Sequence, residues 1–360
     1  MTILDQYGFG GRFAAEAAAY PALFPARVLS QHGGLYKVIT AEGELLAEVS
    51  GKFRSAAQRQ TEYPVTGDFV LLDRANDTYG NGIIHHLLTR KSCFVRRAPE
   101  DAHNDTQAVA ANIDTVFVCM ALNSNYNLRR LERYLAVTWD SGAIPVVVLT
   151  KADLCEDAEQ VIKDASAAAI GAEVYAVSSR DPLTYEPLRQ YLKPGQTTAF
   201  IGSSGVGKST LINCLVGREV FATSGVRADG KGRHTTTGRE LFLLPDGGVV
   251  MDTPGMRELG VESADLGKAF ADIEALAEHC RFRDCSHGNE PGCAVQVAVA
   301  RGELDLARLD SYFKLKKEAR YDGLNSRQIE SEKIREMFSE FGGIKNAKRF
   351  VKEKQKQKPR

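Results

Sequence analysis

The sequence contains no apolar run approaching the ~18 residues that span a bilayer, which argues against a membrane-crossing helix within it. Its first residues, MTILDQYGFGGRFAAEAAAYPALF, lack a basic start followed by an apolar core, so no secretory signal is expected. Charge of one sign is not in excess. The 46 basic and 46 acidic side chains cancel, so bulk charge argues neither for nor against a polyanionic partner. There is no internal repeat, and cysteine is sparse. Seven cysteines in a chain without a signal fit a reducing, cytoplasmic compartment. Cys93, Cys119, Cys155 and Cys214 lie scattered in apolar surroundings and read as buried thiols, whereas Cys280, Cys285 and Cys293 are clustered.

What is present divides the chain of 360 residues into two or three domains. Residues 1–25 read as a mobile extension. Residues 26–97 hold five short alternating runs, ARVLSQ, LYKVITA, ELLAEVS, DFVLLD and GIIHHLLTR, separated by turn residues. This pattern predicts a small barrel, with an OB-type barrel the leading candidate and another small barrel or sandwich the alternative. Arg54, Arg59, Lys91, Arg96 and Arg97 are candidates for a nucleic-acid face, or ordinary surface charge. Residues 96–112 read as a linker.

Beyond the linker, apolar strands (IDTVFVCMAL, PVVVLTK, EVYAVSS, TTAFIG, GGVV) alternate with amphipathic helices. That alternation predicts a parallel sheet covered on both faces, with ligands at the carboxyl ends of its strands. From about residue 260 the chain is mainly helical. Residues 345–360 carry eight basic residues and one acid. Such a tail is solvated when free and is also suited to phosphate contacts.

Chemistry is concentrated in four motifs. Gly202, Ser203, Ser204, Gly205, Val206, Gly207, Lys208 and Ser209, followed by Thr210, satisfy G-x-x-x-x-G-K-[ST] between a strand and a helix. Glycines let the backbone wrap around phosphate oxygens, and its N–H groups with the helix dipole offset their charge. In such a loop Lys208 reaches the β and γ phosphates, and the Ser209 hydroxyl takes one Mg²⁺ position. The run MDTPG supplies a second element. Asp252 is expected to hold Mg²⁺ through water, and the Gly255 N–H to meet the γ-phosphate. A Ras-type GTPase has glutamine after this glycine, whereas this chain has Met256, which cannot polarise water. Between these motifs lies GVRADGKGRHTTTGRE, in the place of a switch loop. Thr235 and Thr236 are its candidate Mg²⁺ ligands, with Thr236 preferred. His234 is either a replacement for the missing glutamine or an exposed loop histidine.

The third motif is TKAD, at Thr150, Lys151 and Asp153, with Ser178 and Ser179 ending the next strand. The Asp153 carboxylate can accept from guanine N1–H and N2–H₂, donors that adenine lacks on that edge, so guanine is expected over adenine. The stem of Lys151 can cover the ring, and backbone N–H groups near Ser178 and Ser179 can meet guanine O6. Thr150 stands where most GTPases have asparagine. Because TKAD precedes the phosphate loop by about fifty residues, the usual GTPase order has been cut and rejoined, as in a circular permutation. The fourth motif, C-x₄-C-x-H-x₅-C, places Cys280, Cys285, His287 and Cys293 as four ligands for a closed structural Zn²⁺ site, with His279 a less well spaced competitor. Arg281 and Arg283 on that knuckle are candidates for phosphate contacts.

In this order, TKADL, GSSGVGKSTLIN, GRHTTTGREL, DTPGMREL and CRFRDCSHGNEPGCAV resemble the ribosome small-subunit-dependent GTPase A family (RsgA, also called YjeQ), over about residues 26–321. The resemblance implies an N-terminal OB domain, a central permuted GTPase domain and a C-terminal zinc domain. It implies GTP hydrolysis stimulated by the small (30S) ribosomal subunit late in that subunit's maturation, and absence of the Ras-type glutamine throughout the family. The expected division is a 1–25 extension, a 26–97 OB domain, a 98–259 GTPase domain, a 260–340 zinc domain and a 341–360 basic tail. The expected partners are GTP or GDP and the small subunit with its rRNA, with the chain monomeric and off the membrane. Two other readings fit the motifs: a nucleotide-gated RNA-binding scaffold in which hydrolysis is incidental, and an ATP-dependent P-loop enzyme.

Overall fold

The computed structural model describes residues 2–97, 106–123, 126–220, 239–252, 266–288 and 290–320. The alternating runs near the N-terminus form β1 (Phe24–His32), β2 (Leu35–Ile39), β3 (Glu44–Val49), β4 (Phe69–Leu72) and β5 (Gly82–Leu87). They pair in the order β1-β2-β3-β5-β4, and β1 pairs again with β4, which closes an OB-type barrel. Only β3 and β5 run parallel within it. Alternate positions such as Val28, Tyr36, Val38, Ala47, Val70 and Ile84 fill the interior.

Next come β6 (Cys93–Arg97) and β7 (Thr106–Ala111), an antiparallel pair apart from the main sheet. The stretch expected as a linker therefore contains a strand. The alanine-rich TQAVAA has little β-propensity; burial of residues 108–111 holds it in place.

The central sheet comprises β8 (Thr115–Ala121), β9 (Ile144–Thr150), β10 (Glu173–Ala176), β11 (Thr197–Ile201), β12 (Glu240–Leu243) and β13 (Val249–Asp252). Their spatial order is β10-β9-β8-β11-β13-β12, and all pairings are parallel except β12 with β13. The strands are apolar throughout because both faces are covered. Val116, Val118 and Met120 face one core, and Phe117, Cys119 and Ala121 face the other. The chain enters at β8, runs outward to β10, then returns to the centre as β11 beside β8. That reversal opens the crevice in which such sheets bind ligands. The strand that leads into the G-x-x-x-x-G-K-[ST] loop is thus the fourth of this sheet to be laid down. Strand β12 also meets the barrel through Ser30↔Glu240, so the two sheets are continuous.

Residues 2–25 are not a mobile extension. Leu4 and Tyr7 are buried in the central core, and Phe13 packs against Phe69 with ring centroids 4.3 Å apart. The Gln6 carbonyl accepts from Gly195 N at 3.0 Å, just before β11. A buried arginine fastens this seam. The Arg27 guanidinium donates to the carbonyls of Tyr7, Gly67 and Asn112, and burial pushes its pKa down to about 10, still protonated at neutral pH. Of the four scattered cysteines only Cys119 is fully buried, and burial pushes its thiol up to about 12. Cys93, Cys155 and Cys214 are half-buried.

Among the described residues the C-terminal part contains the helices Leu266–Ala269, Ala271–Ala277, Ala294–Ala300 and Leu306–Arg320. Phe270, Ile273, Leu309 and Tyr312 share one buried cluster with Leu131 and Leu135 of the helix Leu128–Ser141. Burial of each such side chain is worth roughly 1.5–3 kcal/mol. Among the described residues no helix is long and apolar enough to cross a membrane.

Candidate functional site

The chain turns sharply at the carboxyl end of β11. Gly202 has φ +146°, and a Cβ there would come 2.3 Å from the Cys119 carbonyl oxygen, so glycine is required. Gly207, at φ +99°, caps the helix Lys208–Val216, which points its positive end at the loop. Lys208 Nζ donates to the carbonyls of Gly202 and Ser203 at 2.8 and 2.9 Å, centring its charge on the loop. Ser209 and Thr210 lie in the first turn of that helix. Strands β11 and β13 are parallel neighbours, so Asp252, the last residue of β13, is at the same edge of the sheet as the loop. Gly255, Met256, His234, Thr235 and Thr236 lie outside the described residues, as does the basic tail.

TKAD is joined directly to this loop. The buried Thr150 hydroxyl donates to the Val206 carbonyl. Lys151 adopts the left-handed conformation, φ +58°, and its Nζ donates to the Gly205 carbonyl at 2.7 Å. The lysine stem thus runs from the guanine motif to the phosphate loop. Asp153 is braced from β10's end: Ser178 Oγ donates to its Oδ1 at 2.8 Å, and Arg180 Nη1 is 3.5 Å from its Oδ2. Ser178 N donates to Thr184 Oγ1 at 2.9 Å, so this amide is already engaged. Ser178 is buried with its hydroxyl on Asp153, while Ser179 is exposed.

Sequence reasoning did not identify Thr184, Arg180 or Arg130, whose Nη1 donates to Ser203 Oγ at 2.8 Å. Arg130 does leave a signal. Arginines at the start of a helix oppose its dipole and need another partner.

The cysteine–histidine cluster forms as the spacing predicts. The ligand atoms of Cys280, Cys285, His287 and Cys293 all lie within 4.8 Å of one another, and His279 is not among them. Cys280 Sγ and Cys293 Sγ are 3.6 and 3.7 Å from His287 Nδ1 and 3.9 Å from each other. Tetrahedral zinc, with bonds of about 2.0–2.3 Å, separates its ligands by roughly 3.5–3.8 Å, so the cluster fits such an ion. Burial lowers the His287 pKa, favouring the neutral imidazole that binds metal. Gln296 Nε2 donates to the His287 carbonyl at 2.6 Å, holding the ligand loop against the helix Ala294–Ala300. Arg281, Phe282 and Arg283 project outward, with the Arg281 guanidinium 5.5 Å from the centroid of the Phe282 ring. In the barrel, Arg54 and Arg59 are exposed, whereas Lys91 is paired with Asp114.

The RsgA GTPase family model matches residues 87–262. The chain is 46% identical to small ribosomal subunit biogenesis GTPase RsgA 2 of Lactiplantibacillus plantarum, over 98% of this chain and 99% of the other. It is 42% identical to the protein of that name from Listeria monocytogenes, over 88% and 90% of the two chains. The crystal structure of YjeQ from Thermotoga maritima superposes with a TM-score of 0.61 at 27% identity, covering 82% of this chain and 98% of that one. YloQ, described as a circularly permuted GTPase, shares the fold with a TM-score of 0.58 at 24% identity, over 84% and 96%. Phosphate loop, guanine motif, permuted sheet and these likenesses agree: the chain belongs to the RsgA GTPase family.

Proposed function

We propose that this chain hydrolyses GTP in the biogenesis of the small ribosomal subunit, and that binding the subunit's rRNA accelerates hydrolysis. The observation that carries this reading is the joining of a phosphate loop and a guanine motif through Thr150 and Lys151 on one sheet edge. Relatives 42–46% identical are named small ribosomal subunit biogenesis GTPases. Water attacks the γ-phosphorus, the bond to the β–γ bridging oxygen breaks, and GDP and phosphate leave. Lys208 and the N–H groups of residues 202–209 stabilise the developing charge. Asp153 accepts from the guanine edge, with Lys151 over the ring. Ser209, Thr236 and Asp252 would hold the Mg²⁺ that accompanies GTP, which would supply neutralisation of phosphate charge. Gly255 is assigned to the γ-phosphate and His234 to positioning the water that Met256 cannot polarise.

The ion at Cys280, Cys285, His287 and Cys293 is proposed to be a structural Zn²⁺. Four protein ligands leave no open position for catalysis. Arg281 and Arg283 beside the exposed Phe282 offer phosphate contacts and a stacking surface, a combination suited to single-stranded RNA. The chain is proposed to work as a cytoplasmic monomer.

GTP turnover measured with and without purified small subunits tests the reading. The subunit is expected to raise the rate; equal rates would contradict the coupling.

A further inference from the structure

The helix Leu128–Ser141 opens with arginines where its dipole disfavours cations. Both are held by distant partners. Arg129 pairs with Asp305 of the C-terminal domain at 3.0 Å, and Arg130 with Ser203 of the phosphate loop at 2.8 Å. In the same turn lies Glu132, whose side chain is fully buried. Its Oε1 accepts from Arg129 at 2.6 Å and from Arg308 at 3.0 Å, while Oε2 is buried without a partner among the described residues. Arg308 belongs to the C-terminal domain. Asp272 clamps it at 2.7 and 2.8 Å, the Ala269 carbonyl accepts from it at 3.1 Å, and it lies 4.8 Å from the Phe270 ring centroid. One helical turn therefore touches the phosphate loop with one side chain and anchors the C-terminal domain with another.

We propose that Arg130 is a positioning residue for the phosphate loop, and that the Arg308–Glu132 pair transmits the seating of the C-terminal domain to it. A helical turn moves as a unit, and separating Arg308 from Glu132 would leave a fully buried carboxylate with Arg129 alone to offset its charge, which is costly. The pair is either made or broken. A shift of about 1 Å in the turn takes a 2.8 Å hydrogen bond beyond useful range. Loss of the Arg130–Ser203 bond loosens the loop's grip on phosphates. This route runs through side chains of residues far apart in sequence. It rests on the GTP-binding reading of residues 202–209.

The test uses the full, metal-loaded chain. It measures the dissociation constant of a fluorescent GTP analogue, metal content and melting. Arg130→Met is expected to weaken the analogue roughly five- to tenfold, and Arg130→Lys to restore most of the affinity. Arg308→Lys and Glu132→Gln are each expected to weaken it about threefold, and to add nothing when combined with Arg130→Met. Wild-type affinity in both Arg308→Lys and Glu132→Gln, or losses that multiply with Arg130→Met to within about twofold, would overturn the coupling. Should Arg308→Lys lose metal or fail to fold, Glu132→Gln with Arg130→Met decides alone. A wild-type chain that does not bind the analogue would instead sink the GTP reading itself.

Discussion

The proposed phosphate end and base end of the nucleotide site are built on opposite plans. The phosphate end is one uninterrupted stretch, residues 202–209, shaped by glycine conformation and by a helix start. The base end is assembled from side chains of separate segments: Asp153 after β9, and Ser178, Arg180 and Thr184 after β10. A local site is indifferent to where the chain begins. An assembled site survives permutation only because β9 and β10 remain parallel neighbours, and because Thr150 and Lys151 fasten β9 to the loop. The two ends should therefore fail differently when broken.

The largest effect is expected from Lys208→Ala. Loss of a group stabilising phosphoryl charge should lower GTP turnover by about 10²–10³-fold, and should weaken GTP and ATP alike in a competition assay. A variant that lost GTP but kept ATP would erase the distinction between the ends. Asp153→Asn comes next. It removes charge-assisted bonds to the base, so GTP affinity should fall roughly 10- to 100-fold. Xanthine nucleotides, whose O2 faces the new amide, should gain relative to GTP, which nucleotide competition reads directly. Ser178→Ala is the finest probe, because it removes a single hydroxyl, which donates to Asp153 at 2.8 Å and accepts from Arg180 N at 3.2 Å. Guanine preference should fall about fivefold, while binding of free triphosphate stays unchanged. Equal loss of both would mean that Ser178 supports the whole domain rather than the base.

The same contrast governs what could be read from the sequence. The phosphate loop, TKAD and the cysteine–histidine spacing were legible because each is a short run whose chemistry depends on near neighbours. The barrel and the parallel sheet were legible from alternating and continuous apolar runs. Strand β12 was not, being four residues long and set by pairing with β13 and with Ser30. Nor was β7, where burial overrides weak propensity. Packing of residues 2–25 escaped because its determinant, the buried Arg27, binds backbone carbonyls rather than a recognisable motif. Likewise Glu132 and Arg308 meet across 176 residues, a distance no local pattern spans.

The central claim is that distant segments, joined through β9, make a guanine-selective site. Competition between GTP and ATP for the purified chain tests it most directly. The account predicts GTP binding at least about 10²-fold tighter. Equal affinity, or a preference for ATP, would contradict it.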